Sequence, residues 1–261
     1  MKKILFTGAR SGIASAVIDQ LISKKFFIYV TVHNDKQLQM VCKKYEAFDN
    51  VECFKLDITN AKDREKLEHL DIDIFVNNAA IGYGGSISEI PMSKVRKNFE
   101  TNVFSYLEVE QIILKTMMKK NKGRIINIAS LAGIIPISFL GSYCATKASI
   151  IKMTECLRKE LKLLDSKVEV CLVEPGLYYT GFNQVMLENK YEWMDVDSYF
   201  NYLIDSIRTR ETFFFRLMEK KELKSIVKKI LKAICSKQSD FIYRAPFSQV
   251  LLAKGYQLWK S

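Results

Sequence analysis

Histidine is scarce in this chain of 261 residues, which contains only His33 and His69. The two are far apart and show no metal-ligand spacing, so the sequence argues against a zinc site and a Ser–His–Asp triad. We expect no metal site. The six cysteines show no paired spacing, and several lie within predicted strands or helices, where cysteine behaves as a small buried hydrophobe. This pattern argues against disulfides and favours a reducing compartment, which we take to be the cytoplasm.

Linkers are also missing. No Pro/Gly/Ser-rich stretch divides the chain, and 48% hydrophobic residues among 261 are enough for one large core, so we expect a single domain over residues 1–261. No secretory signal is visible, because the first predicted strand begins almost at the first residue. The long uncharged run Ile125–Thr146 contains Asn127, Ser130 and Pro136, and we interpret it as a buried strand and a loop rather than a membrane span.

Short apolar runs alternate with helical patterns along the chain. The predicted strands are Lys3–Thr7, Phe27–Val32, Val51–Lys55, Ile74–Asn77, Gly123–Ala129, Glu169–Glu174 and Asp240–Tyr243. The predicted helices are Ile13–Lys24, Asp35–Tyr45, Lys62–Leu67, Val95–Lys119, Tyr143–Leu163 and Lys221–Ser236. This alternation predicts a Rossmann-like α/β fold, in which a doubly wound, mainly parallel sheet of seven strands has helices on both faces.

Tyr143 and Lys147 stand four residues apart at the start of a helical pattern. Four residues make about one helical turn, so the phenol and the ammonium point the same way. A free tyrosine titrates near ~10, and a cation beside the phenol favours its ionised form. We interpret the pair as a proton donor and acceptor that works at neutral pH. The alternative is an ordinary helix that has one tyrosine and one lysine at this spacing.

Two further features favour a catalytic site. The apolar run Ile4–Thr7 leads into a turn with Gly8 and Gly12 and then into a helical pattern. A strand, a glycine-bearing turn and a helix in that order make a pyrophosphate site, although a plain turn is the alternative.

Ser130 follows a strand-like run, and strand carboxyl ends face the ligand crevice of a parallel sheet. Its hydroxyl is a candidate to hold a substrate oxygen. The alternative is a serine that only forms hydrogen bonds with backbone groups of the turn.

Six sequence blocks, spread over about Lys2–Phe182, resemble those of the short-chain dehydrogenase/reductase family. The blocks are Thr7–Ala14, similar to TGxxxGxG; Asn77–Ala80, similar to NNAG; Asn102; Ser130; Tyr143 with Lys147, which fit YxxxK; and Pro175–Gly176 with Thr180. Two positions depart from the family pattern. Ala14 stands where a glycine usually serves close helix packing, and Ala80 replaces the glycine of NNAG, where a positive φ would strain an alanine.

The resemblance implies a hydride-transfer oxidoreductase that reduces a carbonyl or oxidises the alcohol. Tyr143 would transfer the proton, and Lys147 would lower the tyrosine pKa and bind the nicotinamide ribose. Ser130 would donate a hydrogen bond to the developing alkoxide. Asn102 would hold a water that links Lys147 to solvent, and this role is compatible with the alternative, in which Asn102 is a buried residue that braces the long helix. The implied cofactor-binding residues are Gly8, Arg10, Ser11, Gly12, Ile13, His33, Asp57, Ile58, Asn78, Ala79, Tyr143, Lys147, Pro175, Gly176 and Thr180.

The residues after the second strand favour NADP(H) over NAD(H). Val32 stands where family members that use NAD tend to carry an acid for the ribose hydroxyl. His33 stands where family members that use NADP often carry arginine, and Arg10 in the phosphate turn is placed to reach a 2′-phosphate. NAD(H) stays possible, because the turn could place the Asp35 carboxylate inward.

The substrate is expected to be a small apolar carbonyl or alcohol. Residues 180–220 resemble the variable substrate lid of the family and are dense in aromatic side chains, without a cation cluster suited to an acidic substrate. Some of these aromatics are expected in the core or at subunit contacts. Their density nevertheless predicts a large apolar pocket.

Residues 221–261 form a basic carboxyl-terminal segment. Residues 211–261 contain 11 Lys/Arg and 4 Asp/Glu, which gives +7 of the chain's +11. The apolar face of Lys221–Ser236 predicts packing on the sheet, with a membrane-surface helix as the less favoured alternative. We expect homo-oligomers and favour docking of the apolar tail Phe247–Trp259 on a neighbouring subunit over contact with a bilayer.

Two other functions compete with an enzyme. A nucleic-acid-binding protein is suggested by the pI of about 9.2, but no nucleic-acid motif accompanies the charge, so we expect no nucleic-acid partner. A catalytically silent nucleotide-binding regulator of the same fold is the other alternative. The intact set Ser130, Tyr143 and Lys147 argues against it.

Overall fold

A computed structural model describes residues 1–10, 12–194 and 198–260. Seven parallel strands in this part of the chain form one sheet in the order β3-β2-β1-β4-β5-β6-β7. The strands are β1 Lys2–Phe6, β2 Phe26–Val32, β3 Val51–Lys55, β4 Ile74–Asn77, β5 Gly123–Ile128, β6 Val168–Pro175 and β7 Ile242–Ala245. The predicted Rossmann-like α/β fold is confirmed, and the sheet is entirely parallel. The strand order reverses between β1 and β4, where a doubly wound sheet opens its ligand crevice.

Helices cover both faces of the sheet. They are α1 Gly12–Leu21, α2 Asp35–Tyr45, α3 Ala61–Glu65, α4 Met92–Phe99, α5 Tyr106–Lys119, α6 Gly141–Leu163, α7 Phe182–Met194, α8 Ile204–Met218, α9 Lys224–Cys235 and α10 Phe247–Lys260. A π-helix, Glu100–Ser105, joins α4 to α5, and short 3₁₀ turns lie at Leu131–Gly133 and Asn201–Leu203.

Two apolar clusters hold the helices on the sheet. Successive side chains of a strand point to opposite faces, so Ile4 and Phe6 belong to one cluster and Leu5 to the other. All three are fully buried, as expected for a parallel strand covered on both sides. The first cluster includes apolar residues of α1 and α9, and the second includes apolar residues of α5.

The predicted strands agree with the observed ones to within two residues. The largest difference is at β7, which we predicted from Asp240; that carboxylate instead forms an exposed ion pair with Lys232, 2.6 Å away, and β7 begins at Ile242. Three helices were not predicted: α7, α8 and α10. The predicted helix Val95–Lys119 is interrupted by the π-helix.

The apolar face of α9 is buried. Ile226, Val227, Ile230 and Ile234 are at most 2% exposed and belong to the first apolar cluster. The prediction that this helix packs on the sheet is confirmed, and this face is not available to a membrane. Among the described residues, no helix combines the length and hydropathy that crossing a bilayer requires.

Candidate active site

Tyr143 and Lys147 lie in the first two turns of α6 and are 7% and 3% exposed. The Lys147 Nζ is 5.8 Å from the centre of the Tyr143 ring. The same ammonium donates a hydrogen bond of 3.1 Å to the Ile128 carbonyl at the end of β5. The structure therefore brings the two side chains to one point, at the carboxyl edge of the sheet.

Ser130 lies at the same point. It caps the turn after β5, because its Oγ accepts a hydrogen bond from the Ala132 N–H at 3.1 Å. The hydroxyl also lies near the Tyr143 phenol, where it acts to lower the pKa of that group. It lies 3.4 Å from the Pro175 carbonyl, to which it donates. Ser130, Tyr143 and Lys147 thus form one group, as their spacing predicts.

Burial controls the protonation of this group. Burial raises the pKa of Tyr143 well above its usual value, against the smaller opposing effect of Ser130. Burial also lowers the pKa of Lys147 to about 8. The prediction that Lys147 lowers the pKa of Tyr143 stays a prediction, because the raised pKa here reflects the burial of the phenol and the ammonium is directed at the Ile128 carbonyl.

The cover over Tyr143 comes from α7. The ring of Phe182 lies 5.9 Å from that of Tyr143, and Met186, only 2% exposed, belongs to the same apolar cluster. Leu140 and Ala132 complete this cluster on the side of the sheet. Part of the segment predicted as a lid thus covers the phenol.

Asn102 is fully buried in the π-helix. Its side chain pairs with both backbone groups of Ile81, at 2.9 Å and 2.8 Å, and donates to the Thr146 hydroxyl at 3.2 Å. It therefore braces the loop after β4 against α6, one residue before Lys147. The water-holding role stays a prediction.

A second asparagine repeats this arrangement one turn earlier. Asn98 is fully buried, pairs with both backbone groups of Tyr83 and donates to the Ser142 hydroxyl at 2.9 Å. Sequence reasoning missed it. The spacing of four residues from Asn102 was the available signal, because it places both amides on one face of the helix.

The turn between β1 and α1 has the backbone of an anion cradle. Gly8 and Gly12 both have φ of +64°, a conformation that favours glycine. A Cβ on Gly8 would lie 2.8 Å from the Ala79 Cα, so the loop after β4 approaches closely. Asn78 fixes this approach by donating to the Thr7 and Gly8 carbonyls at 2.9 Å and 3.0 Å. Ser11 lies outside the described residues.

The other predicted cofactor residues are distributed along this edge of the sheet. Ile13 packs on the cluster beneath the turn, and Arg10 is exposed. His33 is exposed after β2 and contacts Gln37 and Asn34. Beyond β3, the Asp57 carboxylate accepts from Thr59, and Ile58 is buried. Pro175 is the last residue of β6, and Gly176 follows it. Thr180 lies close to the phosphate turn, because a Cβ on Gly12 would be 3.0 Å from the Thr180 Cβ.

The two family departures leave the backbone relaxed. Ala14 is a residue of α1 whose side chain is buried in the core. Ala80 is not among the residues with positive φ in the described chain, which apart from glycine are Asn121, Phe139 and Asp165. The strain considered for Ala80 does not arise.

Asp35, the acid that could favour NAD, is directed elsewhere. Its carboxylate is 3.5 Å from the Lys55 ammonium, and its side chain is 76% exposed. Asn34, not Asp35, caps α2 by accepting from the Gln37 N–H at 2.9 Å. The structure does not turn this acid inward.

A buried ion pair joins α7 to α8. Lys190 is fully buried, and its ammonium contacts both carboxylate oxygens of Glu211, which also accepts from the Tyr191 hydroxyl. Burial lowers the pKa of Lys190, while Glu211 opposes this change. Sequence analysis missed the pair because its partners lie on different helices.

A cavity of about 310 Å³ lies between these two helices. It is lined by Tyr179, Gln184, Leu187, Glu188, Tyr191, Arg208, Glu211, Thr212, Phe215, Arg216, Glu219 and Lys221. None of the three grouped residues Ser130, Tyr143 and Lys147 lines it, and half of the lining side chains are charged. The large apolar substrate pocket therefore stays a prediction. Across residues 1–10, 12–194 and 198–260, no cluster of His, Cys, Asp and Glu could hold a metal ion.

Comparison with known proteins identifies the family of the chain. The family model described as "short chain dehydrogenase" matches residues 2–191. The chain is 32% identical over 197 residues to the uncharacterised oxidoreductase YusZ of Bacillus subtilis, covering 72% of this chain and 69% of that protein. It is 30% identical over 196 residues to the NADP-dependent 3-hydroxy acid dehydrogenase of Schizosaccharomyces pombe, covering 70% and 74%.

Solved structures share the fold. A short-chain dehydrogenase/reductase from Burkholderia phymatum in complex with NAD has a TM-score of 0.81 at 20% identity, covering 97% of this chain and 92% of that one. A short-chain dehydrogenase from Burkholderia cenocepacia in complex with NADP has a TM-score of 0.73 at 21% identity, covering 98% and 94%.

Proposed function

The chain belongs to the short-chain dehydrogenase/reductase family of oxidoreductases, and on this basis we propose that it reduces the carbonyl of an apolar small molecule, or oxidises the corresponding alcohol, with NADP(H) as the preferred cofactor. One observation carries the proposal. Ser130, Tyr143 and Lys147 meet at the carboxyl edge of the sheet, beside a turn shaped for a pyrophosphate.

Each of the three residues has a role that follows from its surroundings. Tyr143 transfers a proton at the substrate oxygen, because a phenol can donate and accept a proton and this one lies under α7. Ser130 holds that oxygen with a hydrogen bond, since it already faces the phenol. Lys147, oriented by Ile128, contributes positive charge beside the phenol once the site binds its ligands. The bound dinucleotide supplies or accepts the hydride.

The phosphate turn fits a dinucleotide. The positive φ of Gly8 and Gly12 and the N-terminus of α1 provide the backbone donors that a pyrophosphate needs. The preference for NADP(H) is supported by the exposed Arg10 and His33 and by the outward Asp35. It also agrees with the Schizosaccharomyces pombe relative, which is named as NADP-dependent. NAD(H) is the alternative cofactor, as in the Burkholderia phymatum neighbour.

The proposed apolar substrate is supported by the cover of the site. The apolar side chains of Phe182, Met186 and Leu140 surround the Tyr143 ring. A substrate group that takes the place of one of them beside the ring binds most favourably if it is also apolar, because it then buries apolar surface. Small-molecule recognition by such pockets relies on apolar walls and few polar anchors. Ser130 and Tyr143 would be those anchors.

The proposal includes a homo-oligomer in the cytoplasm. Five large apolar side chains of α10 are more than half exposed, which is typical of a surface covered by a partner. They are Phe247, Leu251, Leu252, Leu258 and Trp259. We favour a second copy of the chain as this partner over a membrane surface, and expect no nucleic-acid partner. All six cysteines are free, which agrees with a reducing compartment.

Turnover of NADPH with a panel of ketones and aldehydes of increasing apolar length tests the proposal. We expect oxidation of NADPH that rises with apolar surface of the substrate. The competing function is a silent nucleotide-binding regulator. Tight NADPH binding without turnover on any carbonyl, or on the matching alcohols with NADP⁺, would favour that regulator.

A further inference from the structure

The hydroxyl of Tyr106 joins the carboxyl ends of β4 and β5. It donates to the Asn77 carbonyl at 2.7 Å and accepts from the Ile128 N–H at 3.1 Å. The Asn127 Oδ1 is a second, longer acceptor at 3.2 Å. Asn77 is the last residue of β4 and Ile128 the last of β5. One phenol therefore connects the final backbone groups of two neighbouring strands.

Both connected residues lead directly to the candidate active site. The Ile128 carbonyl is the acceptor that orients the Lys147 ammonium. Asn77 precedes Asn78, the residue that fixes the phosphate turn through the Gly8 carbonyl. A shift at either strand end would thus move a group that the proposed reaction needs.

Tyr106 is itself firmly placed. It is 1% exposed and belongs to the apolar cluster that contains Ile150 and Ile151, within one turn after Lys147 on α6. Its backbone carbonyl accepts a hydrogen bond of 3.1 Å from the Asn77 side chain. It also directly follows the π-helix that carries Asn102. Such bulges occur frequently at functional sites.

We propose that the Tyr106 hydroxyl is a positioning group for Lys147, because it fixes Ile128 and thereby the carbonyl that orients the ammonium beside Tyr143. This inference rests on the proposed function, in which Lys147 acts with Tyr143. The competing explanation is purely structural, in that the hydroxyl only satisfies two buried backbone groups. The two explanations predict different kinetics for the same variant.

Tyr106→Phe keeps the ring and removes the hydroxyl alone. Tyr243→Phe is the matched control, because Tyr243 is 2% exposed and its hydroxyl also accepts from a backbone N–H, that of Asp240 at 2.8 Å, but at the edge strand β7. We expect both variants to lose thermal stability. Only Tyr106→Phe should lower kcat, by about tenfold or more, since small misplacements at a reacting group have effects of up to ~100-fold.

The pH dependence gives a second readout. A looser Ile128 carbonyl stabilises the charged ammonium less, so the pKa of Lys147 should fall further below its usual value in Tyr106→Phe. The alkaline limb of the kcat profile for carbonyl reduction should then move to lower pH. A ¹⁵N NMR titration of the lysine Nζ resonances, with Lys147 assigned by a Lys147→Arg variant, measures the same pKa without turnover.

Parent-like kcat, pH profile and Lys147 titration in Tyr106→Phe, beside a stability loss equal to that of Tyr243→Phe, would overturn the inference. Absence of turnover in the parent protein would instead contradict the proposed function. The NMR titration would still decide whether the Tyr106 hydroxyl affects Lys147.

Discussion

Phe182 lies against Tyr143, with 5.9 Å between the centres of their rings and an angle of 47° between the ring planes. The residue that begins α7 is therefore in contact with the proposed proton donor. This contact is one part of the apolar cover that buries the phenol and raises its pKa, together with Met186 and Leu140.

Phe182→Ala is expected to widen the site beside Tyr143. The ratio of kcat/KM for a bulky apolar ketone to that for a small one should rise about tenfold, since a single methylene group in an apolar pocket is worth roughly 10–200-fold. Steady-state kinetics on the two ketones measures this ratio. Val185→Ala, at a 58% exposed position of the same helix, is the control and should leave the ratio unchanged. An unchanged ratio in Phe182→Ala would place the substrate elsewhere.

Tyr143→Phe should lower kcat for carbonyl reduction by about 10²–10⁴-fold, the usual contribution of general acid catalysis. NADPH binding, followed by fluorescence, should persist because the ring remains. Tyr45→Phe removes another buried hydroxyl, one that contacts Asp19 at 3.0 Å, and should keep parent-like turnover. Near-normal kcat in Tyr143→Phe would mean that another group transfers the proton.

Glu110 predicts a pH-dependent stability. It is 5% exposed, its Oε2 accepts from the Asn127 amide at 3.0 Å, and burial raises its pKa to about 7. The folded state therefore binds this proton more tightly than the unfolded state. The contribution to stability is complete below the ordinary value near 4.5 and is lost as the pH rises through 7.

Glu110→Gln removes this titration and retains an acceptor for Asn127. Its free energy of unfolding, relative to the parent, should increase by on the order of 2 kcal/mol between pH 5 and pH 8. Urea unfolding at the two pH values measures the change. Glu108→Gln is the control on the same helix, because its side chain is 51% exposed and pairs with Arg64 at 2.7 Å. A pH-independent difference for Glu110→Gln would contradict the raised pKa.

Arg10→Ala should weaken NADPH binding and leave NADH binding nearly unchanged, because an exposed guanidinium beside the phosphate turn can pair with the extra phosphate alone. Fluorescence titration of both cofactors measures the two Kd values. Arg210→Ala, at an exposed position of α8, is the control. A clear NADH preference in the parent protein would contradict the proposed cofactor.

Removal of residues 247–261 should change the size of the oligomer, because the exposed apolar side chains of α10 would lose their partner. Light scattering measures this size for the truncated and full chains. Because Val250 and Ala253 of α10 pack on Leu131, a milder variant, Leu251→Ser with Leu252→Ser, separates loss of the partner from local unfolding.

Binding of the protein to lipid vesicles tests the alternative, in which α10 contacts a membrane. If α10 meets a bilayer, the basic carboxyl-terminal segment should draw the full chain to anionic vesicles in a salt-sensitive manner. Strong binding of this kind, with an unchanged oligomer after truncation, would overturn the preference for a second copy.

The sheet and the closeness of Tyr143 to Lys147 were predictable because each depends on a local sequence pattern. Buried parallel strands appear in the sequence as short apolar runs. Residues four apart lie on the same face of a helix however that helix is packed, so Tyr143 and Lys147 are neighbours in any case. Helix α8 was not predicted because Phe213 and Phe214 are exposed, so its apolar residues do not mark a buried face. Helix α10 is apolar on its buried and its exposed sides, which removes the periodic signal.

The protonation of Tyr143 was not predictable for another reason. It depends on how deeply the phenol is buried, and the residue that covers it belongs to a helix that follows a different strand. The partner of Lys190 is likewise a matter of tertiary structure, because Glu211 lies on the next helix. Sequence spacing specifies neighbours within one helix only.

The ion pair between Lys190 and Glu211 ties α7 to α8. Separating the partners would leave the Lys190 ammonium buried without its carboxylate, at a cost of about 3–5 kcal/mol. Gly181 precedes α7, has a φ of +84° and has open space around it, and we expect the backbone to turn at this residue if α7 moves. A substrate that displaces Phe182 from Tyr143 is therefore expected to swing both helices together, so that residues of α8 that never touch the substrate influence how fast it enters and leaves.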